Sequence, residues 1–118
     1  MVQVLDCTLR DGGYVNNWEF GKGVMRSVLD KLNGAGIDIV ECGFLTSKPR
    51  GEGCSLFGDP RQIARLLPQT NRRSRFVAMI AMGEQELSPE RLPYRREGDI
   101  EGIRLTFHRE ETDRALRW

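Results

Sequence analysis

Arg10 and Asp11 stand side by side in the run "LDCTLRDGGYVNNWEF", residues 5–20, where an apolar start breaks abruptly into charge. Arginine grips an oxyanion or a carboxylate in a planar two-point fork. Aspartate is a hard oxygen donor that suits Mg²⁺ or Mn²⁺ when other carboxylates or imidazoles join it. Three further residues could share that work: Tyr14 just downstream, Glu41 in "IVECGF", and His108, the single histidine, in "LTFHREE". Glu41 could orient Arg10 through an ion pair. His108 could ligate a metal, carry a proton or polarise a carbonyl. As a set these groups match a site that binds a 2-oxo acid to a metal and stabilises its enolate. Each also has a plain structural explanation. Asp6 or Asp11 could cap the first helix, Arg10–Glu41 could be a simple ion pair, and His108 could merely begin a helix. Cys42 reads as a small packed residue, and Asn16, Asn17 and Trp18 as a turn with its anchor.

Groups so far apart in sequence converge only if elements bring them together. "VQVLDCTL" reads as a buried strand. In "FGKGVMRSVLDKLNGAG", Val24, Val28 and Leu32 recur at i, i+4, i+8 with Met25 and Leu29 beside them, an amphipathic helix. Gly34 and Gly36 sit where a helix stops in the left-handed conformation. "IDIVECGFL" is the second strand. "DPRQIARLLP" is the second helix, with Asp59 as N-cap, Pro60 in the first turn, Gln62 completing a capping box and Pro68 ending it. "RFVAMIAM" is a third strand and "SPERLP" a short helical turn. "IEGIRLTFH" is a fourth strand, and "REETDRALRW" starts a fourth helix. The basic runs "NRRSR" and "YRREGD" read as solvated loops, and residues 46–58 as the one long loop.

Repeated β then α with short links predicts an α/β fold whose parallel strands are joined by right-handed crossovers. An open doubly wound sheet and a segment of a (β/α)8 barrel both satisfy that order. In either, functional groups gather at the C-terminal ends of strands. Arg10-Asp11, Glu41 and His108 fall at three such ends.

Composition narrows the classes. Lys+Arg number 18 against Asp+Glu 17, a net charge of +1, which calls for neither nucleic acid nor an anionic membrane. No run approaches the roughly 20 apolar residues of a membrane span, and no signal-peptide pattern opens the chain. Cys7, Cys42 and Cys54 form an odd set without CxxC spacing, so free thiols and a cytoplasmic setting are expected. There is no GxGxxG, P-loop or CxxC metal motif.

The motif "LDCTLRDGG" resembles the first-strand signature of the DRE-TIM metallolyases. That family includes hydroxymethylglutaryl-CoA lyase, isopropylmalate and homocitrate synthases, and 4-hydroxy-2-oxovalerate aldolase. "IVECGF" resembles its second-strand motif, and "GIRLTFHREETDRAL" the fourth strand and helix of the hydroxyoxovalerate aldolases, which also carry a histidine at the place of His108. The resemblance implies that Asp11 ligates a divalent metal, Mn²⁺ or Mg²⁺, that Arg10 stabilises the enolate and that Glu41 positions Arg10. Tyr14 stands where the aldolases place a histidine base. The family's His-x-His pair of metal ligands has no counterpart here.

A (β/α)8 barrel takes about 250 residues, and four βα units occupy residues 1–118. The expectation is therefore the first half of an aldolase-type barrel, inactive by itself, with its remaining metal ligands elsewhere. Exposed half-barrel edges would allow self-association. The expected substrate is a small 2-oxo acid. Two other functions compete. One is an acyl-CoA-dependent synthase of the same family, disfavoured because Gly13-Tyr14 replace the Glu-Gln usual there. The other is a non-catalytic α/β binding module.

Overall fold

The computed structural model describes residues 1–118. Strands β1 (Leu5–Asp6), β2 (Ile39–Leu45), β4 (Arg75–Ala81) and β5 (Gly102–Thr106) lie side by side in chain order, every pair parallel. A further short strand, β3 (Leu56–Phe57), pairs with the end of β2. The parallel α/β order expected from the sequence is present. No helix is long and apolar enough to cross a membrane.

The helices follow the capping chemistry, with local departures. α1 (Gly13–Asn16) is a single turn within the first motif. α2 (Lys22–Gly34) buries Met25, Leu29 and Asn33, with Val28 and Leu32 of the expected apolar face half-buried against the same core and Val24 alone exposed. Buried Asn33 is fully bonded. Its Oδ1 accepts from the backbone N–H of Arg73 at 2.8 Å and of Ser74 at 3.1 Å, and its amide donates to Asn71 O at 3.0 Å. One buried side chain thus holds the entry to β4. Gly34 is still helical, and the left-handed stop falls on Gly36 at φ +74°.

α3 (Pro60–Ala64) begins as expected, with the Asp59 carboxylate accepting from Arg61 N at 2.8 Å and Pro60 in the first turn. Gln62, however, accepts from Gly58 N at 2.9 Å, one residue outside the cap. The expected helix to Pro68 gives way after Ala64 to tight turns, such as Leu66 N to Ile63 O at 2.8 Å. α4 (Thr112–Ala115) follows one turn of 3₁₀ helix at Arg109–Glu111.

The core lies on one face of the sheet. Val40, Cys42, Phe76, Ala78 and Ile80 from the strands pack with Met25, Leu29 and Ile63 from the helices. Alternate strand residues point to opposite faces. The other face therefore carries Glu41, Val77, Met79, Ala81, Arg104 and Thr106, of which Ala81, Arg104 and Thr106 are exposed.

Two basic segments are less solvated than their composition implies. Arg72 donates to Pro68 O at 2.8 Å, Gly98 O at 2.7 Å and Asp99 O at 3.3 Å, tying "NRRSR" to the following loop. In "YRREGD", buried Asp99 accepts from Arg96 N at 2.7 Å. Backbone carbonyls that leave the sheet still need donors, and Arg72 supplies three of them.

Candidate functional site

β1 covers just Leu5 and Asp6, shorter than expected, and the motif beyond it is a tight turn. The N–H groups of Arg10 and Asp11 both donate to Cys7 O, at 3.1 and 2.7 Å. Leu9, 1% exposed, anchors the turn in the core, and Ser55 Oγ donates to Leu9 O at 2.6 Å. The Gly-Gly pair has a packing reason. A Cβ on Gly12 would lie 2.2 Å from Thr8 O, and one on Gly13 would lie 1.9 Å from the Trp18 ring. Trp18 closes over this space, and its Nε1–H donates to Arg10 O at 2.7 Å. Asn17 and Trp18 hold left-handed φ angles of +60° and +61° to do so. Such conformations cost free energy for bulky residues and persist where surrounding contacts over-determine them. The turn and anchor read from Asn16–Trp18 are thus present, and they aim the Arg10 backbone.

Glu41 is fully buried in β2. Arg10 Nε donates to its Oε1 at 2.5 Å and Arg104 Nη1 to its Oε2 at 2.6 Å. A buried carboxylate without partners would carry a desolvation penalty of several kcal/mol; here each oxygen meets its own guanidinium. Arg10 also donates to Asp11 Oδ1 at 3.0 Å. Burial works against the charge on Arg10, but the hydrogen bond and charge of Glu41, followed by the charge of Asp11, hold its pKa above the ordinary arginine value. Arg10 is a permanent, oriented cation.

Gly43, at φ +151°, lets β2 bulge between Glu41 and Phe44; a Cβ there would lie 2.3 Å from Ser55 O. Beyond the bulge, Phe44 pairs in register with Met79, as Arg104 does from the other side. Arg10 Cζ lies 5.8 Å from the Phe44 ring centre, within cation–π range. Beside this ring opens a cavity of about 300 Å³ lined by Tyr14, Trp18, Phe44, Leu56, Ala81 and Met82. Thr46, Glu84 and Gln85 give it a polar border. Tyr14 stands edge-on to Trp18 at 4.7 Å between ring centres.

Three of the five sequence candidates, Arg10, Asp11 and Glu41, form one hydrogen-bonded cluster, and Tyr14 borders the adjoining cavity. His108 is not hydrogen-bonded to any of them. It is exposed, and its N–H donates to Glu111 Oε2 at 3.0 Å at the start of the 3₁₀ turn, the helix-opening role open to it from sequence. Asp11 caps no helix. Its side chain is 62% exposed and is the one carboxylate on the open side of the cluster. No group of three or more His, Cys, Asp or Glu side chains is placed to hold a metal. Asp11 by itself is one donor of the six or more that such ions take, so the residues of this chain do not make a complete metal site.

Arg104 is the functional side chain that sequence reasoning missed. The alternation in "GIRLT" held the signal: an arginine at the centre of a strand, on the face opposite Ile103 and Leu105. Cys42, next to Glu41 but on the opposite face, is inert packing; burial pushes its thiol pKa up, with the charges of Glu101 and Glu41 adding to the effect.

Fold and site together define a parallel-stranded α/β protein with a charged cluster on the sheet face opposite the core: Glu41 and Arg104 lie within β2 and β5, not at the strand ends expected from the sequence, and Arg10 lies in the turn after β1. This structure is similar to the crystal structure of the "N-terminal domain of a putative aldolase" from Bacteroides vulgatus, with a TM-score of 0.72 and 26% identity. The match covers 98% of this chain and 39% of that one, so the chain spans about two fifths of the length of the protein it resembles. The fold is thus aldolase-like. No protein-family model and no curated protein matches the chain.

Proposed function

We propose that the chain is the N-terminal half of a (β/α)8-barrel aldolase, a carbon–carbon lyase that acts on a 2-oxo acid through an enolate. The observation that carries this reading is the buried Glu41 carboxylate locking Arg10 on the open face of the sheet. Strands in chain order with a helix-packed core on one face support a barrel segment over a doubly wound sheet, in which helices cover both faces. The similarity to the aldolase domain points the same way.

In retro-aldol cleavage of a 4-hydroxy-2-oxo acid, a base takes the 4-hydroxyl proton and the C3–C4 bond breaks. Its electron pair moves through C3 to the 2-oxo oxygen, leaving an enolate and an aldehyde. Negative charge grows on that oxygen, and Arg10 is the donor prepared for it. Because Glu41 fixes the guanidinium beforehand, little reorganisation accompanies the charge, which is how such donors lower barriers. Tyr14 lines the adjacent pocket, and His108 stands at the end of β5. Asp11 offers one oxygen toward Mg²⁺ or Mn²⁺, and a complete shell needs donors outside these residues. A cytoplasmic setting fits the free thiols.

The test uses the full-length gene product with a panel of 4-hydroxy-2-oxo acids, following release of the 2-oxo acid. Release is expected, with Arg10→Lys lowering kcat by about 10²–10³. Thiol release from acetyl-CoA in place of cleavage would assign the acyl-CoA synthase activity instead. Full activity of Arg10→Lys would refute the role of Arg10. Self-association through the sheet edges predicts a concentration-dependent mass for the 118-residue chain by light scattering. A constant monomer mass would exclude it.

A further inference from the structure

Charge is unevenly used in the cluster. Arg10 faces two carboxylates, Glu41 and Asp11, whereas Arg104 shares Glu41 and has no other acidic partner. The four charges balance in number, but Asp11 sits on Arg10, so Arg104, with half a share in Glu41, is the less compensated cation. That side chain is 45% exposed, and its Nη1 alone is engaged, so Nε and Nη2 are free to grip an anion. Arg104 sits in register with Met79, which is in register with Phe44 in turn. Adjacent strands lie about 4.8 Å apart, so Arg104 and Phe44 are separated by roughly 10 Å across the face. One small molecule can touch both.

At the Phe44 end lies the aromatic cavity of about 300 Å³. A cavity of about 150 Å³ already admits a benzene ring. The polar group least suited to an anion is on its border: Glu84 repels a second negative charge there. A ligand that satisfies both ends carries its charge toward Arg104 and an uncharged apolar body toward Trp18.

The geometry points to a substrate class: a carboxylate bearing a ring-sized apolar substituent, with the carboxylate on Arg104 and the substituent between Tyr14, Trp18 and Phe44. This deepens the aldolase reading, on which it rests for the identity of the reacting atoms. In that setting the substrate is a 2-oxo acid with a bulky apolar group, not the smallest member of its class.

Binding tests this separately from catalysis. The full-length gene product, ¹⁵N-labelled at tryptophan, is titrated with 3-phenylpropionate, propionate and 3-phenylpropanamide. The Trp18 indole reports on the apolar end, because it lines the cavity. The expected result is that 3-phenylpropionate shifts the Trp18 indole signal and binds at least tenfold more tightly than either control. Arg104→Gln should weaken it about tenfold, and Arg104→Lys less. Tyr14→Ala, at a largely exposed residue, should weaken 3-phenylpropionate and leave propionate unchanged. Equal binding of the acid and the amide, equal binding of phenylpropionate and propionate, or no binding at all would overturn the proposal. If phenylpropionate binds as expected while no hydroxy-oxo acid is cleaved, the aldolase reading fails and the binding site stands.

Discussion

The two faces of the sheet are built from the same strands, and neighbouring residues serve opposite ends. Val40 and Cys42 enter the helix-packed core, while Glu41 between them holds two guanidiniums on the other side. Phe76, Ala78 and Ile80 are fully buried, while Ala81 in the same strand and Arg104 and Thr106 next door remain exposed. The first face is held by hydrophobic burial, which is non-directional and forgiving of position. The second is held by charge pairing in a buried setting, which is directional and intolerant of a missing partner. A site can keep an oriented arginine on this second face because the first supplies the folding free energy. That division can be broken from either side.

The largest effect is expected at Glu41. Glu41→Gln leaves Arg10 and Arg104 facing each other without the intervening charge, and removing one partner of a buried pair costs about 3–5 kcal/mol. Urea unfolding should show a much lower midpoint, with activity of the full-length protein lost as well. An unchanged midpoint would mean that the ionic face contributes no stability. On the opposite face, Ile80→Ala should destabilise by about 2–5 kcal/mol through cavity formation while kcat stays close to wild type at permissive temperature. A large loss of kcat in the folded variant would show that the faces are coupled.

Gly13→Ala probes the junction between them. Its methyl group would meet the Trp18 ring, and overpacking of this kind costs about 1–3 kcal/mol. The displaced indole should also lose its hydrogen bond to Arg10 O, visible as a shift of its N–H signal. The smallest effect is expected at Asp59, far from the charged cluster. Asp59→Ala removes the cap of α3 at a cost of about 1 kcal/mol. The hydrogen bond from Arg61, followed by that from the Arg61 backbone, holds the Asp59 carboxyl below its ordinary pKa against the opposing effect of burial. Its contribution is therefore present above the unfolded carboxylate pKa of about 3.9 and is lost as pH falls through the lower folded value. Denaturation curves of wild type and Asp59→Ala should converge below that range and separate above it.

Much of this was readable before any coordinates. The Pro60 and Asp59 cap, the Gly36 stop and the apolar runs of β2 and β4 are local signals, and they appear where expected. The pairing of Arg10 with Glu41 was also readable, because successive strands of a parallel sheet are neighbours, although Glu41 lies within β2 and not at its end. Arg104 was hidden because its partner is 63 residues away. The reason for Gly12-Gly13 was hidden too, because it is close approach to Thr8 O at Gly12 and to the Trp18 ring at Gly13. β3 was hidden inside an apparent loop because two residues show no periodicity. α2 also turns a polar residue inward, because buried Asn33 satisfies three backbone groups of the chain before β4.

Taken by itself, the order of apolar runs, caps and stops in this chain already determined a parallel βα succession. Those features depend on backbone chemistry within a few residues of each position. Only the tertiary structure decided which charged groups share a carboxylate, that His108 makes no hydrogen bond with them, and that an aromatic cavity opens beside Arg10. These depend on strand register and on the bulge at Gly43, where a shift of one residue would send Glu41 or Phe44 to the other face of the sheet.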